Sequence, residues 1–282
     1  MSKIALVTDS TAYIPANLVN QYKITVTPQI LIWGEETLRD GVDISPTEFY
    51  TRLATAEIMP TTSQVAVGTF KEIFEQLHEE GKEILVILLS DILSKSQNSA
   101  ELALQMVPDA KIEIVNSKTT AMELGFHVLA AARAAKEGAT LEECKVIAEN
   151  AREKSGVLFV VDTLEFLHRG GRIGGASRLL GTALQMKPVL EIRDGRVESI
   201  EKIRTKKKAH RRLVEIILER VDGKEGDVRL ASLHANAPED AKALLDELSE
   251  KTGAIESVFS EVSPVVGTHC GPGTVGIAYM VD

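Results

Sequence analysis

Short apolar runs alternate with helical patterns through the first half of the sequence. Residues 4–8 and 83–89 are apolar on both faces, which is typical of strands buried in a parallel sheet beneath helices. The same patterns predict an extended region at 24–33, a strand at 111–115, and helices at 68–80, 96–106 and 120–137. We therefore expect an α/β unit with helices on both sides of a mostly parallel sheet.

Two capping boxes mark further helix starts. Ser45 is followed three residues later by Glu48, and Thr140 is followed in the same way by Glu143. At this spacing each side chain accepts a hydrogen bond from the backbone N–H of the other residue. The boxes predict helices that run to about residues 53 and 154.

The second half has a different order of elements. A hairpin is predicted over 189–200, with its turn at Asp194-Gly195. The other predicted elements are strands at 156–161, 228–234, 255–262 and 275–281, and helices at 162–169, 206–221 and 238–252. This order indicates an α+β domain. With 282 residues the chain suits two domains, which we place at 1–158 and 159–282, with segments that can exchange between them.

Composition narrows the functional classes. The chain carries 32 Lys and Arg against 41 Asp and Glu, a net charge of −9, and only 4% aromatic residues. Both features argue against nucleic-acid binding, which needs cationic surfaces and stacking side chains. The exception is the basic segment 202–212, with seven Lys or Arg in eleven positions. This segment either contacts nucleic acid, as in a regulatory protein, or is a solvated helix face.

The sequence also bears on location. The N-terminal apolar run is too short for a signal peptide, and the longest stretch without Asp, Glu, Lys or Arg, 262–281, is interrupted by glycines. Two cysteines, Cys144 and Cys270, lie far apart and without metal spacing. We expect a reduced, cytoplasmic protein with no transmembrane segment and no metal site.

Hydroxyl-rich segments follow the predicted strands. They lie at 8–11, 90–98 and 116–120, with a fourth at 60–64 between helices. Ser and Thr commonly cap helices, so each segment alone can be structural. Because ligands bind at the carboxyl ends of parallel strands, the segments together favour a shared polar pocket. Neutral donors without paired carboxylates suit the holding of an anion better than acid–base catalysis.

Four single residues need separate interpretation. Asp9 is interpreted as tying down its turn, whereas His269, in a glycine-rich loop, either contacts a ligand or is a buried, hydrogen-bonded imidazole. Cys270 has no evident base beside it and is interpreted as inert. Arg172 lies in a glycine run that only weakly resembles a phosphate loop, and it either binds an anion or ends a helix at the surface.

An ordered set of motifs extends over essentially the whole chain. The motifs are Thr8-Asp9-Ser10, Thr61-Thr62-Ser63-Gln64, Leu93-Ser94-Lys95-Ser96, Thr163-Leu164-Glu165 with Arg169-Gly170-Gly171-Arg172-Ile173, Lys187-Pro188, Arg204-Thr205-Lys206-Lys207, and His269 with Gly271-Pro272-Gly273. In this order the sequence resembles the DegV family, bacterial fatty-acid-binding proteins that include the acyl-carrying subunit of fatty acid kinase.

The resemblance implies a two-domain carrier with a long-chain fatty acid in a tunnel between the domains. Thr62 and Ser94 would hold the carboxylate, with His269, Ser63 and Gly273 also at the ligand. Arg204 and Arg172 would serve the partner or the phosphoryl group. A separate ATP-dependent kinase would form the acyl phosphate, so the carrier itself would have no catalytic residue and no cofactor. Transient contact with a membrane surface is a further expectation.

One motif departs from the family. Where the family has Gly after the loop serine and an aromatic residue two positions later, this chain has Lys95 and Gln97. Lys95 adds a charge beside the expected carboxylate, which changes the expected head-group geometry. The alternative function is a small-molecule phosphotransferase or hydrolase acting through His269, Ser94 or Asp9. The lack of a Walker-type loop and of a metal-binding carboxylate cluster argues against this alternative.

Overall fold

The computed structural model describes residues 3–180 and 186–282. The strands in these ranges are β1 (Ile4–Asp9), β2 (Thr25–Thr27), β3 (Ile30–Trp33), β4 (Glu36–Arg39), β5 (Thr61–Ser63), β6 (Glu83–Leu88), β7 (Ile112–Asn116), β8 (Ser155–Val160), β9 (Val189–Arg193), β10 (Arg196–Glu201), β11 (Val228–His234), β12 (Glu256–Glu261) and β13 (Val275–Val281). The helices are α1 (Ala16–Tyr22), α2 (Pro46–Leu53), α3 (Val67–Glu79), α4 (Ser96–Met106), α5 (Ala121–Glu137), α6 (Leu141–Lys154), α7 (Glu165–Arg169), α8 (Lys206–Val221), α9 (Pro238–Thr252) and α10 (Pro264–Cys270).

The first sheet is parallel, with the order β2-β1-β6-β7. Its central strand β6 is buried on both faces. Val86 packs into a cluster with Phe70 and Phe74 of α3, whereas Leu85 packs with residues of α5 and α6 on the other side. The predicted α/β half is thus confirmed, and its continuous apolar strands are explained by helices on both faces. Both predicted capping boxes are present, at Ser45 and Thr140.

The second sheet has six strands in the order β10-β9-β8-β13-β11-β12, and only the β11–β12 pair is parallel. Helices α8 and α9 cover one face. The opposite face packs against α5 and α6, so α5 lies between the two sheets and contributes to the core of both. This is the predicted α+β half. The predicted hairpin turn has Asp194 and Gly195 at φ 50° and 83°, as a two-residue turn of this type requires.

A third, small sheet was not predicted. Its strand order is β4-β3-β5. The extended region predicted at 24–33 therefore forms two separate strands, because residues 25–27 pair with β1 whereas residues 30–33 pair with β4 and β5. The segment around Thr62, expected to be a loop between helices, is β5. The expected loop around His269 was also wrong, since residues 264–270 form α10. These elements are short and depend on partners that are distant in the sequence.

We propose that the boundary between the two halves lies close to β8. The predicted division between residues 158 and 159 falls inside this strand, which pairs with both β9 and β13. We therefore propose a division before Ser155, with α5 shared between the halves. None of the helices in the described ranges is long and apolar enough to cross a membrane.

Candidate binding site

A cavity of about 1050 Å³, including its open mouth, lies where the three sheets and α10 meet. Much of its wall is apolar, and examples are Leu89, Val157, Phe159, Ile192, Leu233 and Val266. Its polar lining includes Thr62, Ser63, Ser94, Lys95, Arg172 and His269. The walls therefore suit an apolar chain, and the polar residues suit one hydrophilic group.

Thr62 and His269 are in direct contact. The pairing of β5 with β3 places Thr62 opposite Leu31, and the last turn of α10 presents His269. Thr62 Oγ1 lies 2.8 Å from His269 Nε2. Burial and the nearby charge of Arg172 lower the pKa of His269 to about 4, so the imidazole is neutral near pH 7. The predicted hydrogen bond of His269 is thus present, and because the ring also lines the cavity, contact with a ligand stays a prediction.

Ser94 belongs to a second hydrogen-bonded group. Its hydroxyl oxygen is 3.1 Å from that of Ser96, which in turn donates to Oε1 of Gln29 at 3.1 Å. The backbone N–H of Val65 donates to the same Ser96 hydroxyl oxygen. Sequence reasoning missed Gln29 and the role of Ser96. The only signal was a polar residue within an extended apolar region, and the partner appears only in the tertiary structure.

Arg172 is half-buried and has no carboxylate partner among the described residues. Its Nε donates to the carbonyl of Leu93 at 3.0 Å and its Nη1 to the carbonyl of Gly170 at 2.7 Å. Burial lowers the pKa of this guanidinium. The exposed Lys95 donates only to the carbonyl of Asp91. The polar residues of the cavity therefore include two cations and no carboxylate from the described chain, which favours an anionic ligand.

Ser63 lines the cavity, whereas Gly273, which was also expected at the ligand, does not. Gly273 donates to the carbonyl of Ala235, and a Cβ at this glycine would lie 2.1 Å from an oxygen of Asp162. Its positive φ of 79° also requires glycine. Arg204 is exposed outside the cavity, at the start of the basic segment.

Asp9 ties down its turn, as predicted. One carboxylate oxygen accepts from the backbone and hydroxyl of Thr11, and the other accepts from the backbone N–H of Leu89. Asp9 is fully buried and does not line the cavity. It is therefore not placed to act on a substrate in the cavity, as the alternative phosphotransferase or hydrolase function would require. Cys270 does line the cavity, but burial raises the pKa of its thiol to about 12. A thiol with such a pKa is inert near neutral pH.

Gly170 and Gly174, two of the glycines near Arg172, are closely packed. A Cβ at Gly170 would lie 2.1 Å from Nδ1 of His269, and one at Gly174 would lie 2.3 Å from the carbonyl of Val197. The described part of the chain contains no cluster of three or more His, Cys, Asp or Glu residues that could hold a metal ion.

Comparison with known proteins decides the family. The model of the family described as "Uncharacterised protein, DegV family" matches residues 3–282. The chain belongs to the DegV family. A DegV domain-containing protein of Streptomyces coelicolor is 39% identical over 276 residues, which cover 97% of each chain.

Solved structures of DegV proteins share the fold. A fatty-acid-binding DegV family protein from Thermus thermophilus has a TM-score of 0.94 at 34% identity, with both chains covered completely. DegV from Bacillus subtilis, described as a fatty acid binding protein, has a TM-score of 0.91, also at 34% identity and with complete coverage of both chains. The two-unit α/β fold and the family expected from the sequence motifs are thus confirmed.

Proposed function

We propose that this DegV protein binds a long-chain fatty acid, with the acyl chain in the cavity between the two halves. The carboxylate lies against Thr62, Ser94, His269 and Arg172. The observation that carries the proposal is the half-buried Arg172, which has no carboxylate partner in the described chain and lines an otherwise largely apolar cavity. A cation left unpaired in such a place is costly, and a ligand carboxylate would compensate it. The fatty-acid-binding relatives with the same fold support this assignment.

The acyl chain would supply most of the affinity. Burial of about fifteen methylenes at ~0.8 kcal/mol each contributes roughly 12 kcal/mol before the costs of association. The polar residues then need only satisfy and orient the carboxylate. Ser63 extends the hydroxyl-bearing wall next to Thr62.

We infer a carrier role, with phosphorylation of the bound acid by a separate ATP-dependent kinase. Among the described residues the Ser94 hydroxyl is hydrogen-bonded to Ser96 and to no carboxylate that could act as a base. The neutral His269 is hydrogen-bonded to Thr62. The basic segment offers a surface for an acidic partner. Within it Arg211 and Arg212 pair with glutamates of the same helix, whereas Arg204, Lys207 and Lys208 have no ion-pair partner in the described chain.

We further propose that the carrier acts in the cytoplasm. Both cysteines are unpaired and buried, which agrees with the reduced cytoplasmic compartment expected from the sequence. Loading from a membrane surface would be transient.

Native mass spectrometry followed by lipid extraction tests the proposal. We expect about one fatty acid to be released per protein chain. Leu233→Trp serves as the control, because the larger side chain would occupy part of the cavity. This variant should carry far less lipid. Empty wild-type protein that hydrolyses nucleotide alone would overturn the carrier role and favour the phosphotransferase alternative.

A further inference from the structure

Asp40 is a buried carboxylate between the small sheet and α10. It is 2% exposed and has no cationic partner in the described chain. One oxygen accepts from the backbone N–H of Val265 at 3.1 Å, and the other accepts from the hydroxyl of Ser10 at 2.6 Å. Such a carboxylate is costly to bury, so its hydrogen bonds have to hold it in place.

These bonds fix the start of α10. Two tyrosine hydroxyls act at the same end: Tyr13 accepts from the N–H of Ser263 at 3.2 Å, and Tyr50 donates to the carbonyl of Val262 at 3.1 Å. A helix of seven residues has little stability of its own. Its position therefore depends on these contacts and on packing.

The other end of α10 carries His269. At ~1.5 Å per residue, the helix places this ring less than about 10 Å from its anchored start. Thr62, which contacts the ring, belongs to β5, while Asp40 directly follows β4. Both strands pair with β3, on its two sides. The small sheet and α10 therefore form a closed ring of contacts that runs from Asp40 through α10 and His269 to Thr62.

We propose that Asp40 is a positioning residue for the carboxylate group of the ligand, because through α10 it sets the His269 ring against Thr62. The proposal rests on the fatty-acid-binding function inferred above. Asp40 does not line the cavity, so its effect on the ligand has to pass through the helix.

Asp40→Asn tests the proposal, since the amide keeps the size of the side chain but can accept only on one side. The readouts are the ¹⁵N NMR shifts of the His269 ring and the affinities for a fatty acid and a fatty alcohol of equal length. We expect the pKa of His269 to rise from about 4 toward the ordinary value of ~6.5. Acid affinity should fall about threefold, a loss of ~0.7 kcal/mol, whereas alcohol affinity should hardly change.

Glu35→Gln is the matched control, because it makes the same change at an exposed carboxylate in the turn between β3 and β4 of the small sheet. The His269 spectrum and both affinities should stay near wild type in this variant. An unchanged His269 spectrum in Asp40→Asn, or equal losses for acid and alcohol, would overturn the positioning role. If Asp40→Asn does not fold, Tyr13→Phe loosens the same end of α10 and should move the His269 shifts in the same direction; unchanged shifts there would also overturn the proposal.

Different experimental results would overturn the proposed function and the positioning role of Asp40. A wild-type protein that binds no fatty acid would overturn the proposed function, yet a His269 spectrum altered by Asp40→Asn would still show the coupling through α10. A wild-type protein that binds the acid, with no response to Asp40→Asn, would overturn only the positioning role.

Discussion

Thr62 and His269 are 207 positions apart in the chain, yet their side chains meet at 2.8 Å in the cavity. The contact joins the small sheet to α10. It places one hydroxyl and one neutral imidazole side by side among the polar residues of the cavity. Neither residue is a strong base here, because burial disfavours the imidazolium. The pair therefore suits hydrogen bonding to a carboxylate rather than proton abstraction from a substrate.

The protonation of His269 can be observed directly. With a pKa of about 4, the ring should remain neutral from about pH 5.5 to 8. Its ¹⁵N NMR shifts should then be constant across this range, and ligand affinity should show no step from this residue. A titration midpoint near the ordinary histidine value would contradict the buried arrangement.

Removal of either head-group hydroxyl should affect transfer more than binding. Because the acyl chain supplies most of the affinity, Thr62→Ala or Ser94→Ala should change fatty acid affinity by no more than about threefold. Acyl phosphate formation with the kinase should fall by about tenfold or more, since orientation is lost. Titration calorimetry and a coupled kinase assay measure the two effects, and equal losses in both would refute this division of labour.

Arg172 should discriminate between ligands by charge. Arg172→Met keeps much of the side-chain length but removes the cation, so affinity for a fatty acid should fall about 10- to 100-fold. Affinity for the matching fatty alcohol should hardly change. Arg169→Met is the control, because Arg169 is exposed and paired with Glu165. Equal losses for acid and alcohol would mean that Arg172 acts by packing alone.

Glu123 should make stability depend on pH. It is buried in α5, where it accepts from Thr119 and Ser155, and burial raises its pKa to about 7. The folded state therefore holds a proton that the unfolded chain releases above about pH 4.5, so the free energy of unfolding should fall as pH rises from 4.5 to 7. The loss from this group is up to about 3 kcal/mol.

Urea unfolding at several pH values measures this dependence. Glu123→Gln should flatten the curve, whereas Glu153→Gln, at an exposed position of α6, should leave it unchanged. A wild-type curve that rises over this range and is unaffected by Glu123→Gln would contradict the assignment.

The basic segment should govern the kinase complex. Surface charges act through a screened field, so raising salt from about 0.05 to 0.5 M should weaken the complex while lipid binding hardly changes. Arg204→Glu should have the same effect at low salt, and Lys118→Glu, an exposed lysine outside this segment, is the control. Surface plasmon resonance with the proposed ATP-dependent kinase partner measures both effects. A complex insensitive to salt and to Arg204→Glu would place the interface elsewhere.

Local sequence was sufficient for the long elements. Strand β6 and helices α3 to α6 and α8 were predicted closely because their apolar periodicity and caps are contained within the segments themselves. The ordered motifs also identified the family and brought Thr62, Ser94 and His269 together as candidates. A glycine that ends a helix and a capping box that begins one both depend only on residues close to them in the sequence.

Only the tertiary structure determined which polar residues meet in the cavity. Strand β5 and helix α10 are too short to be stable or recognisable by themselves, and they form because β3, Asp40 and two tyrosines hold them. Gln29 and Ser96 are hydrogen-bonded across 67 positions of the chain, and Asp40 and Val265 across 225 positions. Periodicity reports which face of a segment is buried, but contact between distant segments depends on how the sheets pack. The sequence by itself therefore determined the long elements, the family and the candidate residues, whereas packing determined the short elements and the geometry of the cavity.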